Sequence, residues 1–168
     1  MDLIKEISQK KSDKERIARE AVKSPDCIPQ LFKGLDHDKG SIRLGCDKVI
    51  RLVSEQNPEL IYPYFDNLVK MLDSENTFLK WGAIITVANL VTVDSENKFE
   101  KIFEKYFAPI INTSMVTAAN IIGGSSKIAR AKLHLTERIV KEILKAEKAK
   151  YEYKGEVSPE CRNIVFGQ

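Results

Sequence analysis

The chain has 168 residues, 43% hydrophobic and 30% charged, which is too apolar for disorder and long enough to bury a core without covalent staples. Its net charge of +3 and pI near 8.7 are only mildly basic, so any basic character that matters must be local. Three widely spaced cysteines, Cys27, Cys46 and Cys161, with no CxxC, exclude a disulfide framework and a zinc site and predict reduced thiols in a cytoplasmic protein.

The N-terminus, MDLIKEISQKK, has early acids and no sustained apolar run, so no signal peptide is expected. Asp2 or Met1 opens a short helix to about Gln9. Ser12 or Asp13 caps a second, KERIAREAVK, which Ser24-Pro25-Asp26 breaks. A third runs from about Asp26 to Leu35. Ser41 is the predicted cap of the next helix, where Ile42, Cys46, Val49, Ile50 and Val53 recur at helical spacing. Asn57-Pro58 ends it. The helix that follows reaches Leu72 and contains Pro63, which starts or kinks it.

From Thr77 to about Val93 the sequence is apolar nearly all round, so that helix needs neighbours on several sides. Its most apolar part, Trp81 to Val93, is only 13 residues long and includes Thr86, Asn89 and Thr92; it reads as a buried core helix, too short for a bilayer. Ser95 is the expected cap of a helix over Lys98 to Phe107, interrupted near Pro109. Thr113 or Ser114 starts MVTAANIIG, which Gly123-Gly124 is expected to end. Ser125 or Ser126 then caps the longest helix, Lys127 to about Lys150. A last helix start is read at Ser158-Pro159-Glu160. Strand signals are weak, so the fold class is all-α. The expected organisation is one domain over 1–150, with 151–168 a loop and a short capping or truncated helix.

The chain repeats itself. Residues 31–53, LFKGLDHDKGSIRLGCDKVIRLV, match residues 68–90, LVKMLDSENTFLKWGAIITVANL, at an offset of 37. Leu31, Lys33, Leu35, Asp36 and Gly45 meet Leu68, Lys70, Leu72, Asp73 and Gly82, with conservative pairs such as Ile42/Leu79 and Arg43/Lys80 between them. A period of this size points to stacked helical hairpins. The register is lost after Val93.

These units, with Leu-Asp closing one helix, an acidic turn, and Gly45-Cys46 or Gly82-Ala83 in the next, resemble the HEAT/armadillo-like repeat family. The match covers about 28–93. The resemblance implies a right-handed superhelical stack of antiparallel helix pairs whose second helices line a groove. It also implies pairing of Asp36, Asp38, Asp73 and Glu75 with Arg43 and Lys80.

The basic residues of the segment 127–150 are the leading functional candidate. On a continuous helix, Lys127, Arg130, His134, Arg138, Lys141, Lys145 and Lys148 share one stripe bordered by Glu137. A solvated face is the bland reading. Scarcity of mixed-sign pairing there favours a surface for an anionic partner. Arg43, Arg51 and Lys80 would join it in the groove of a HEAT-like array.

Other residues read as scaffold. Gly123-Gly124-Ser125-Ser126-Lys127 lies at an expected helix start, where free amides hold anions, but a stop followed by a cap explains it and no P-loop spacing exists. Trp81 stands where the other repeat has Leu44, which favours packing over base stacking. Cys46 reads as a packed thiol. His37 and His134 form no metal motif, and Asp36 and Asp73 recur once per repeat, as scaffold acids do. No catalytic signature is present in the sequence.

The reading is therefore a non-catalytic protein-binding scaffold without cofactor. Its charged contacts are Arg43, Arg51, Lys80, Arg130, Arg138, Lys141 and Lys145, and its partner is another protein engaged through an acidic segment. The alternative is nucleic-acid binding, as in the HEAT-like DNA alkylation repair glycosylases, through the basic stripe. No membrane partner is expected.

Overall fold

A computed structural model of the chain describes residues 2–111, 114–153 and 156–157. The fold is all-α. Among the described residues the one strand pairing is two residues long, Glu152–Tyr153 against Glu156–Val157. The helix start read at Ser158, and Cys161, lie outside the described residues. Contacts divide the chain into two compact units, Met1–Val93 and Asp94–Gln168. The boundary falls within the single domain expected over 1–150, at the point where the repeat register ends.

In the first unit, α1 (Leu3–Ile7) and α2 (Lys14–Lys23) are capped by Asp2 and Asp13, whose carboxylates accept from Lys5 N and Arg16 N. A 3-10 turn at Pro25–Cys27 leads into α3 (Ile28–Gly34). The next helix, α4 (Gly40–Gln56), starts from Lys39, not from a Ser41 cap, and no side chain bonds its first amides. Pro63 interrupts the following helix outright. α5 (Pro58–Ile61) gives way to a 3-10 turn at Tyr62–Tyr64, then to α6 (Phe65–Met71). Proline has no N–H to give the helix, and its ring clashes with the preceding turn. Asn76 caps α7 (Thr77–Leu90) by accepting from Phe78 N and Leu79 N.

α7 buries residues around most of its circumference, Leu79, Ala83, Ile84, Val87 and Leu90 among them. It packs on α4 and α6, and α4 packs in turn on α2 and α3. Two contacts set the α4–α7 register. Asn89 Nδ2 donates to Ser54 Oγ at 2.8 Å across 35 positions, and Gly82 abuts Asp47 at the same separation. Equal offsets two helical turns apart mean that α4 and α7 run side by side in the same direction. α2 and α4 do likewise, with Glu15 paired to Lys48 at 2.8 Å near one end and Val22 facing Val53 and Gln56 near the other. Glycine makes this approach possible. A Cβ on Gly82 would lie 1.8 Å from Asp47 Oδ1, and one on Gly45 would lie 2.5 Å from Ile7 Cγ2. Both positions therefore exclude a side chain, which explains why the repeat keeps glycine there.

The second unit holds α8 (Lys98–Lys101), α9 (Phe103–Phe107), α10 (Met115–Ala131) and α11 (Thr136–Leu144). Its core is an aromatic cluster. Phe99, Phe103, Tyr106 and Phe107 make edge-on and tilted contacts with centroids 4.7 to 6.4 Å apart. The buried Tyr151 hydroxyl donates to Ile110 O at 2.5 Å. Asp94, not Ser95, receives the first amides of α8, at 2.8 Å from Lys98 N and 3.0 Å from Phe99 N.

Two expectations for this unit are corrected. Gly123-Gly124 does not end a helix, because α10 runs through it to Ala131. A mid-helix glycine costs only about 1 kcal/mol and does not by itself stop a helix. Ser125 is no cap either, since its hydroxyl donates to Ile121 O at 2.8 Å inside the helix. The helix expected over 127–150 is instead broken at Lys132, in non-helical backbone (φ −128, ψ 70), followed by a 3-10 turn at Leu133–Leu135 and then α11. The cause is tertiary. The Lys132 ammonium is drawn into the second unit's core, 3.1 Å from Asp94 O, 3.3 Å from Asp94 Oδ2 and 2.5 Å from Asn97 Oδ1. Asn97 holds the left-handed conformation (φ 52), the only positive φ among the described non-glycine residues.

Candidate interaction surfaces

The seam between α4 and α7 is polar. Asp47 and Ser54 on α4 face Gly82, Thr86 and Asn89 on α7, and all five are buried. Asp47 Oδ2 accepts from Arg51 Nε at 3.2 Å. Burial pushes the Asp47 carboxyl up to about 6, against the opposing pull of Arg51. Thr86 Oγ1, fully buried, has no hydrogen-bond partner. None of these residues stood out as a candidate. The available signal was a set of polar residues at core spacing, Asp47 and Ser54 interrupting the apolar run of α4.

At the N-terminal ends of the same two helices the surface turns apolar. Phe78 is 60% exposed and meets Trp81 edge-on at 5.4 Å. Trp81 is half-buried, so it is neither a buried packing residue nor a free platform. Leu44, at the equivalent position of the preceding repeat, is 39% exposed. Because α4 and α7 are parallel neighbours, Leu44 and Trp81 occupy matching ends of adjoining helices. The sequence comparison paired the two residues without indicating that both reach solvent.

The basic residues are mostly spent within the molecule. Arg43 donates to the His37 and Asp38 carbonyls at 2.8 and 3.2 Å, locking the turn that precedes α4. That replaces the carboxylate pairing implied for it, and Lys80 makes no ion pair with the described residues. Arg51 is tied to Asp47. In the second unit Arg138 reaches Glu104 at 2.9 Å and lies 4.1 Å from the Phe103 ring centroid. His134 meets Glu100 at 2.9 Å, Lys141 meets Glu137 at 2.7 Å and Lys145 meets Glu142 at 2.5 Å. The expected scarcity of mixed-sign pairing is thus corrected, and with Lys132 breaking the helix there is no continuous stripe. Of the seven predicted contacts only Lys80 and Arg130 lack a partner among the described residues, and Arg43, Arg51 and Lys80 belong to the first unit while the other four belong to the second. Exposed pairs of this kind add little stability but cancel the field an anion would feel.

Cys46 is fully buried, and desolvation pushes its thiol up to about 11, which suits a packed side chain and not a nucleophile. Cys27, also buried, donates its thiol hydrogen to Ser24 O at 2.8 Å. His37 Nδ1 accepts from Lys39 N at 3.0 Å within its turn. Gly123 to Lys127 lie inside α10, so the expected helix start for an anion is not there. Among the described residues no group of three or more His, Cys, Asp or Glu side chains is placed to hold a metal, and no helix is long and apolar enough to cross a membrane. Comparison with protein-family models, curated proteins and solved structures finds no match to this chain.

Proposed function

We propose that the chain is a non-catalytic protein-binding module whose first unit is a HEAT/armadillo-like superhelical stack. Three parallel neighbours, α2, α4 and α7, each preceded by a shorter helical segment, support the stacked reading. Exposed apolar side chains at matching helix ends support the binding reading, and the observation that carries it is the Phe78–Trp81 pair beside Leu44. Aromatic residues held rigidly on helices are what protein interfaces concentrate at their energetic centres. A partner would bury Phe78 and Trp81, with Lys80, between them in sequence and without an ion pair among the described residues, offered to a carboxylate at the rim.

Neutralisation of Arg51, Arg138, Lys141 and Lys145 by carboxylates favours a protein partner over nucleic acid, whose affinity depends on uncompensated cations. The test is affinity capture from cell extract with the full chain and with Phe78→Ser and Trp81→Ser. A partner retained by the wild type should be lost from both variants while their circular dichroism stays unchanged. Retention of the same partner by both variants, or tight binding of DNA or RNA that weakens steeply with salt, would overturn the reading.

A further inference from the structure

Two turns of the first unit lie against each other. The 3-10 turn at Pro25–Cys27 leads into α3, and the segment Pro58–Tyr64 leads into α6. Between them runs an open groove of about 370 Å³. Pro25 and Pro63 stand exposed along it, and Leu60 and Tyr64 are half-buried in its wall. The Tyr64 ring is fixed, because it stacks on Phe32 with centroids 4.2 Å apart and planes within 13°. The groove's charged lining residues are Asp26 and Glu59, both exposed and both acidic. Among the described residues neither meets a cation. Glu59 accepts only a 3.3 Å bond from the Asn57 amide.

The two acids have a local explanation, since each lies in the first turn of its helix, where negative charge is favoured. That explanation accounts for their presence but leaves their charge without a cation among the described residues, beside an apolar, aromatic wall. The volume is at the low end for a binding cleft and suits a slender segment better than a helix, which is about 10–12 Å across with its side chains. An extended segment fits. Proline rings pack well on aromatic and proline walls and enter already ordered in the polyproline conformation. Arginine or lysine on such a segment meets the two carboxylates.

We propose that this groove docks an extended, proline-containing basic segment of a partner protein, read by the fixed Tyr64 ring and by the Asp26 and Glu59 carboxylates. The inference rests on the protein-binding reading but shares no residue with the Phe78–Trp81 patch, so either can fail alone.

The probe is a fluorescently labelled synthetic peptide of alternating proline and arginine, titrated with the full chain by anisotropy at low salt. Two control peptides carry glutamate in place of arginine, or glycine in place of proline. The Pro-Arg peptide should bind and both controls should bind weakly or not at all. The double variant Asp26→Asn/Glu59→Gln should weaken binding about fivefold, as expected for two exposed charge pairs. Both positions are exposed, so this variant keeps the fold. Tyr64→Ser should weaken binding further, and Phe78→Ser should leave it unchanged. Absence of binding, equal binding of either control peptide, or wild-type affinity in the double variant would overturn the proposal. Loss of binding in Phe78→Ser would assign the peptide to the other patch and would also overturn it.

Discussion

Asp47 is the residue at which physics departs most from pattern. It sits at core spacing on α4, is 6% exposed, and keeps Arg51 as its charged partner. Its folded pKa, about 6, is above the unfolded value near 3.8, so the folded state holds the proton more tightly. Stability contributed by that proton is fully present below the unfolded value and is lost as pH rises through about 6. The size is about 2 kcal/mol between pH 4 and pH 7. Asp47→Asn removes the titration. Denaturant unfolding of both proteins should show the variant gaining about 2 kcal/mol on the wild type over that pH range. A difference that is the same at pH 4 and pH 7 would mean that the buried carboxyl titrates normally. The sequence left Asp47 unremarked because its neighbour in space, Gly82, is far away in the chain, and desolvation depends on neighbours in space. Cys46, one residue earlier, was legible as a packed thiol because its partner repeat carries Ala83 there.

At the scale of elements, most boundaries were readable where a local device makes them. Asp2, Asp13 and Ser114, each one of two expected starting residues, cap their helices, and Pro58 and Pro63 mark breaks. Ser41 and Ser95 miss as caps of α4 and α8, and the larger failures lie at α10, where the deciding interaction is tertiary. Two glycines looked like a stop, and the true stop, Lys132, looked like any helical lysine. Its break depends on Asp94, 38 positions earlier. This has a direct consequence for Gly123, which lies mid-helix with nothing within 4 Å of the position a Cβ would take. Gly123→Ala should stabilise the protein by about 0.5–1 kcal/mol, by helix propensity and lower unfolded-state entropy. Thermal unfolding reads the sign. A loss of stability would restore the glycine to the helix-stop role that the sequence suggested. The basic stripe fails for the same reason as the stop, since its arc assumed one unbroken helix and ignored acids on α8 and α9. Glu100 and Glu104 could not be paired with His134 and Arg138 from spacing alone.

At the scale of the whole molecule, the repeat was legible because stacking imposes the same demands twice. Gly45 and Gly82 each admit a neighbour too close for a side chain, and that requirement writes itself into the sequence at a fixed period. The second unit has no such periodic demand. Its order comes from single constructions, the aromatic cluster around Phe99 and the Lys132 clamp, which leave no recurring trace. The two units therefore have separate points of failure. Gly82→Ala places a methyl against Asp47 between parallel helices, an overpacking that costs about 1–3 kcal/mol. Lys132→Met removes the buried ammonium that faces the Asp94 carboxylate, at a cost of about 3–5 kcal/mol. Compact units with their own cores open as separate cooperative units. Amide hydrogen exchange should then speed up across residues 2–93 in Gly82→Ala and across 94–150 in Lys132→Met, with the other unit little changed in each. Acceleration of both units by either substitution would show one cooperative core, and the boundary at Val93 would then mark only the end of the repeat.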